Sequence, residues 1–169
     1  NIKNIEVYTL AVSSKSGWVY LDTDELSMKG RYGSVSIADK GHLVKSINLN
    51  EFKIKECSFI KIDVEGLELE VLIGLDLQKY RPTLIMLEDT IPTKTTKLQS
   101  SKDIHKYLKK NNYIHVFFDG LNSYFIKNEQ AELSKHFDLP VNIFDNFTKT
   151  SYTTSNNEGL YLQNQKFKS

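Results

Sequence analysis

Four carboxylates close two apolar runs in this chain. Ser58-Phe59-Ile60-Lys61-Ile62 leads into Asp63, with Glu65 just beyond, and Thr83 to Leu87 leads into Glu88 and Asp89. In open α/β sheets ligands sit beyond the carboxyl ends of the strands. A charge at such a tip faces a crevice, where it can accept a proton or position a hydroxyl. Carboxylates also suit helix N-termini, and for Glu65 and Asp89 that capping reading is at least as strong. Asp63, set between Ile62 and Val64, favours the chemical one. Asp63, Glu65 and Glu68 together suggest a magnesium site, but two of the three stand at a helix start, and a solvated face is the better reading.

The remaining reactive residues carry less. His42, His105, His115 and His136 lack metal-ligand spacing and suit surface or packing roles. Cys57, the single cysteine, rules out an intramolecular disulfide and suits a small core position better than a nucleophile. Asn146-Phe147-Thr148 matches a glycosylation acceptor, read as accidental. The 22 basic residues are lysines apart from Arg31 and Arg81, and they are scattered. With 21 acidic residues the net charge is +1, which argues against a nucleic-acid or membrane-surface binder. No apolar run approaches the roughly 20 residues that span a bilayer, and no transmembrane segment is expected.

The elements that must position Asp63 and Glu88 are legible from periodicity. Ser58 to Val64 is a short apolar run compatible with a buried parallel strand. A helix follows from about Leu67 to Ile73, with Leu67, Val71 and Leu75 on one stripe and Gly74 at its end. Arg81-Pro82 blocks further helix, and Thr83 to Leu87 restarts a strand, so the pattern is a βαβ unit. Upstream, Ile5 to Val12 alternates as a strand and Trp18 to Leu21 resumes strand character after a polar turn. Thr23 to His42 reads as loop with short extended pieces, Val44 to Leu49 as a short strand and Glu51 to Glu56 as a charged helical turn. Downstream of a 92–101 loop, Ser101 can cap a helix over Lys102 to Lys110 with Ile104, Tyr107 and Leu108 inward. Asp119-Gly120-Leu121-Asn122 then links two hairpin strands, Tyr113 to Phe118 and Tyr124 to Lys127. Glu129 to Phe137 is expected to be helical. The domain is expected to occupy 1–147, with 148–169 a polar, loosely packed tail in which Leu160-Tyr161-Leu162 can add an edge strand. The opening on Asn1 in place of Met is read as the edge of an excerpt from a larger parent chain.

The stretch Phe59-Ile60-Lys61-Ile62-Asp63-Val64-Glu65-Gly66-Leu67-Glu68-Leu69-Glu70-Val71-Leu72-Ile73-Gly74 resembles the signature of the FkbM-type methyltransferases. Leu10 to Ser13 with Gly17, Gly33 to Ser36, Arg81-Pro82 with Leu84 to Glu88, Phe118 to Asn122 and Pro140 to Asp145 are similar to further parts of the family. The resemblance covers most of residues 4 to 147. It implies an α/β fold, the Rossmann-like class I methyltransferase sheet of strand order 3-2-1-4-5-7-6. Ile5 to Val12 would be strand three, Phe59 to Asp63 strand four, Leu84 to Glu88 strand five and the C-terminal antiparallel hairpin the last two. Strands one and two, with the glycine-rich cofactor turn, have no counterpart in the sequence.

What the resemblance implies for function is S-adenosylmethionine-dependent O-methylation of a hydroxyl on a sugar or glycan precursor, in a bacterial cytoplasm. Ala11, Val12 and Ser13 would lie on the adenine side of the cofactor. Asp63 would be general base or acceptor-positioning group, Glu65 second to it, and Glu88 would line the substrate pocket. No metal is required. The partner expected is a small-molecule or glycan acceptor, with no nucleic acid. Two other readings stand beside this one: a degenerate, non-catalytic interaction module, supported by the missing glycine turn, and a nucleotide-sugar-binding domain of a glycosyltransferase.

Overall fold

The computed structural model describes residues 4–22, 36–38, 41–52, 54, 56–64, 66–89, 101–138, 149–154 and 160–165. Glu65, the 92–100 part of the expected loop, most of Thr23 to His42, and the 140–148 segment lie outside these residues. The chain divides into two compact units, 1–137 and 138–169. The second contains one antiparallel pair, β9 (Lys149–Thr154) and β10 (Leu160–Gln165), with Leu162 opposite Tyr152.

The first unit is mixed α/β and holds two four-stranded sheets. One comprises β1 (Ala11–Val12), β2 (Gly17–Asp22), β3 (Ser36–Ala38) and β4 (His42–Ile47) in the order β1-β4-β2-β3. The other comprises β5 (Phe59–Ile62), β6 (Leu84–Glu88), β7 (Tyr113–Phe118) and β8 (Asn122–Lys127) in the order β5-β6-β8-β7. Within the second sheet the relative order is the one expected for strands four, five, seven and six. The expected single sheet is nonetheless not what forms: β1 pairs in parallel with β4 and stands in a different sheet from β5.

Several expectations are corrected. Of Ile5 to Val12 only Ala11–Val12 is strand, and Val7 is 86% exposed. Alternation fits a strand to a sheet but does not supply the partner that a ladder needs, and among the described residues none pairs with 5–10. The strand expected over Val44 to Leu49 begins and ends two residues earlier. It stops because the Asn48 side chain accepts a hydrogen bond from the Asn50 N–H at 2.8 Å and caps a 3-10 turn over Leu49–Glu51. That turn ends at an extended Phe52, so the helical turn expected over Glu51 to Glu56 is displaced upstream. Glu129 to Phe137 is helical as expected, as part of a 3-10 segment over Asn128–Phe137 that kinks at Gln130. β5 is parallel to β6 as expected, but it is an edge strand and Phe59 is exposed, so only one of its faces is buried.

Helices α1 (Glu68–Ile73) and α2 (Ser101–Lys110) cover that buried face. Ile62, Val71, Leu72, Ile85, Leu87, Ile104, Leu108 and Phe125 form one apolar cluster there. Leu72, Ile85, Leu87, Ile104 and Leu108 are inaccessible to solvent, the condition under which each contributes its full transfer free energy, about 1.5–3 kcal/mol. Arg81 fastens the far end of this layer. Its φ of 41° is unusual for a residue with a Cβ, and the strain is offset by its guanidinium. Nε and Nη2 donate to the Glu129 carboxylate at 3.0 and 2.7 Å, Nη1 to the Asn111 carbonyl at 2.8 Å and Nη2 also to the Asn112 carbonyl at 3.1 Å. The same group stacks 4.6 Å from the Tyr113 ring centroid.

Gly74 ends α1, though not through a left-handed cap, since its φ is −75°. Its role is clearance: a Cβ there would stand 2.6 Å from the Ser13 carbonyl oxygen and 3.1 Å from the Ser14 Cα. This contact sets the end of α1 against the turn that follows β1. Gly74→Ala is expected to lower stability by about 1–3 kcal/mol, the usual cost of forcing atoms into a filled site. Urea unfolding measures it, and an unchanged midpoint would show that the Ser13 turn is free to move aside.

Candidate active site

The parallel register sets Lys61 beside Met86 and Ile62 beside Leu87, so Asp63 and Glu88 are the next pair along. On the other side of β6, Glu88 stands opposite Asn122 of β8. The sheet therefore brings two of the expected site residues, Asp63 and Glu88, to adjacent strand tips. They differ in environment. Glu88 is 5% exposed, whereas the Asp63 side chain is 43% exposed. Lys61 Nζ donates to Asp63 Oδ2 at 2.7 Å. That hydrogen bond raises the lysine pKa, with the charges of Asp63 and Glu88 acting in the same direction, so Lys61 stays a cation beside both carboxylates. So exposed a pair adds only about 0–1 kcal/mol to stability. Its consequence is local: a solvent-accessible carboxylate with a cation at hand.

Beyond Asn122 lies a second polar group of the same tip. Asp119 Oδ1 accepts the N–H groups of Leu121 and Asn122 at 2.9 and 2.7 Å, and Oδ2 accepts from Asn122 Nδ2 at 3.1 Å and the Tyr124 hydroxyl at 2.8 Å. Burial, then the Asp119 hydrogen bond, push the Tyr124 hydroxyl up to about 12, which keeps it a donor at neutral pH. The expected hairpin thus forms with its turn held by Asp119.

Glu68 is a correction. Expected on a solvated face, it has no solvent exposure. Its carboxylate turns back from the first turn of α1, where Oε1 accepts the N–H groups of Val64 at 3.2 Å and Gly66 at 3.0 Å. Gly66 reaches this geometry at a φ of +104°, open to glycine and strained for other residues. A signal for the burial exists in the sequence: Glu68, Val71, Leu72 and Leu75 follow i, i+3, i+4, i+7 spacing, which puts Glu68 on the core stripe.

Asp89, for which helix capping was at least as strong a reading, is instead a fully buried anchor. Its Oδ2 accepts from the Ser123 hydroxyl at 2.6 Å and contacts His105 Nε2 at 3.2 Å, and the Ser101 hydroxyl donates to the same carboxylate. Ser101, expected as the cap of α2, is its buried first residue and faces Asp89. His105 packs against His115 and Phe125, with ring centroids 4.9 Å away in each case. Cys57 is half-buried against the core, and burial raises its thiol pKa, in keeping with a packing role. Among the described residues no three His, Cys, Asp or Glu side chains converge as a metal site, and no helix is long and apolar enough to cross a membrane.

Ala11, Val12 and Ser13 lie elsewhere. Ala11 and Val12 pair with Ser46 and Ile47, the Ser13 N–H donates to the Ile47 carbonyl at 3.1 Å, and Ser13 abuts Gly74. The Ser14 hydroxyl donates to Glu70 Oε2 at 2.5 Å. Ala11, Val12 and Ser13 thus stand in the first sheet and the turn that follows its β1, and Asp63 at the tip of a strand of the second.

A parallel pair of strands bridged by a helix, with a solvent-accessible carboxylate at the tip, is an architecture found in α/β enzymes. The family model of the methyltransferase FkbM domain matches residues 3–114, and the chain belongs to that family. No curated protein and no solved structure matches the chain. Methyltransferases of this kind generally use S-adenosylmethionine. In the Ser13 turn, expected on the adenine side of that cofactor, the Ser13 N–H and the Ser14 hydroxyl already have partners in the Ile47 carbonyl and the Glu70 carboxylate.

Asp89 yields a pH prediction. Burial alone would raise its pKa, but hydrogen bonds from Ser101, Ser123 and His105 outweigh that and hold the carboxyl below its ordinary 3.8. A depressed folded pKa contributes stability above the unfolded value and loses it as pH falls through the folded value. Stability should therefore decline on acidification below about pH 4. Asp89→Asn should be less stable at neutral pH and flatter in that acid range, as read from urea midpoints against pH.

Proposed function

We propose that the chain carries the acceptor side of an S-adenosylmethionine-dependent O-methyltransferase that acts on a hydroxyl of a sugar or glycan precursor. The observation that carries the reading is the half-exposed Asp63 carboxylate at a parallel strand tip, held among the described residues by Lys61 alone, beside the buried Glu88. An acceptor hydroxyl meeting Asp63 would give its proton to the free carboxylate oxygen, and Lys61 would keep the other oxygen oriented. Glu65 would be second to Asp63 in that role, and Glu88 would line the substrate pocket. A surface of acceptors close to a cation suits a polyhydroxyl substrate better than an apolar one. The sheet β5-β6-β8-β7 would be part of a Rossmann-like arrangement, within a larger parent chain. A single half-buried cysteine suits a reducing compartment, here the bacterial cytoplasm.

The test is methyl transfer from labelled S-adenosylmethionine to a panel of neutral hexoses and their nucleotide-activated forms. Asp63→Asn should lower turnover by about 10²–10⁴-fold, the range for a lost general base. S-adenosylhomocysteine binding, followed by calorimetry, should stay as in the parent. Full turnover in the Asp63→Asn protein would overturn the role given to Asp63.

A further inference from the structure

We propose that Glu68 is the positioning residue of this site, fixing the direction of Asp63 through the backbone that follows it. The proposal rests on the reading of Asp63 given above. Asp63 has little of its own to hold it, being half-exposed and paired among the described residues only with the flexible Lys61. Its direction is therefore set by the peptide planes next to it. Val64 packs its side chain against the core, yet the planes at Val64 and Gly66 are oriented by hydrogen bonds to one atom, Glu68 Oε1. Glu68 in turn starts a helix whose Val71 and Leu72 are buried, so the strand tip is tied to the apolar core.

The second oxygen argues that this arrangement is not chosen for stability. Glu68 Oε2 is buried and has no hydrogen-bond partner among the described residues. A half-satisfied carboxylate away from water is destabilising, and departures of this kind concentrate where function needs them. The two hydrogen bonds to Oε1 clamp a loop whose only positive-φ residue among those described is Gly66.

The experiment combines amide hydrogen exchange with the methyl-transfer assay on the protein. Glu68→Ala should let the Val64 and Gly66 amides exchange about tenfold faster or more. It should lower kcat by about 10²-fold, the cost of a 1 Å misplacement, with KM for the acceptor little changed. Glu68→Gln keeps a carbonyl oxygen for both N–H groups and should retain slow exchange and near-parental kcat. If the alanine variant does not fold, Glu68→Asp, which keeps the charge but withdraws it by one methylene, should show the same two effects. Fast amides with unchanged kcat would overturn the proposal. So would a Glu68→Gln protein with protected amides and alanine-like kcat. Full turnover in Asp63→Asn would instead remove the reading on which the proposal rests, and it is told apart because the two amides stay protected in that variant.

Discussion

Two parallel strands cannot be joined by a tight turn, and the rest of this domain is arranged around that constraint. Between the end of β5 and the start of β6 the chain must travel back the length of the sheet. It does so through α1, only six residues long, and a connection that ends at Arg81-Pro82. The crossover is fixed at both of its ends. At the strand tip the turn has to be held, and Glu68 holds it. At the other end α1 has to stop against the first sheet, and Gly74 makes the room. Leu72 and Val71 then bury the helix between those two fixed points.

The carboxylates at the tip illustrate how burial and donors decide what a charge can do. Asp89 sits out of water with serine and histidine donors on one oxygen and serves as a fastener between β6, β8 and α2. Glu68 sits out of water with two backbone donors and fastens the turn. Asp119 is saturated by its own hairpin. Asp63 combines solvent access with a light load, a single lysine among the described residues. A carboxylate already surrounded by donors is a poor proton acceptor, because those donors stabilise the charged form. Asp89 and Asp119, both held below the ordinary carboxylate range, are poor proton acceptors through the same hydrogen bonds that make them fasteners.

The βαβ core was legible in the sequence because each of its signals is local. Apolar runs mark β5 and β6, Pro82 blocks helix, and the Asp119-Gly120 turn marks the hairpin. Ile5 to Val12 shows the limit of that method. Its alternation is as regular as that of any strand, yet regular structure there depends on a partner that periodicity cannot supply, and only Ala11–Val12 finds one in β4. Asp63 could be singled out because an acid between apolar residues is unusual. Glu68 was hidden by its type: a glutamate at a helix start is most often solvated, and only its coincidence with the Val71-Leu72-Leu75 stripe told otherwise. Asp89 was hidden more completely, since its partners Ser101, His105 and Ser123 come from two later elements.

The same comparison explains why membership of the methyltransferase family and the geometry of this site speak to different halves of the reaction. Methyl transfer is a direct displacement in which the enzyme mainly aligns acceptor oxygen, carbon and sulfur. In the reading proposed above, the acceptor oxygen would meet the carboxylate that β5 carries at its tip, within a single βαβ unit. The sulfur would need a separate binding surface, and in the Ser13 turn expected to contribute to it the Ser13 N–H and the Ser14 hydroxyl already have partners in Ile47 and Glu70. The tips of β5 and β6 are set by contacts close in sequence, whereas β1 takes its partner, β4, in the first sheet.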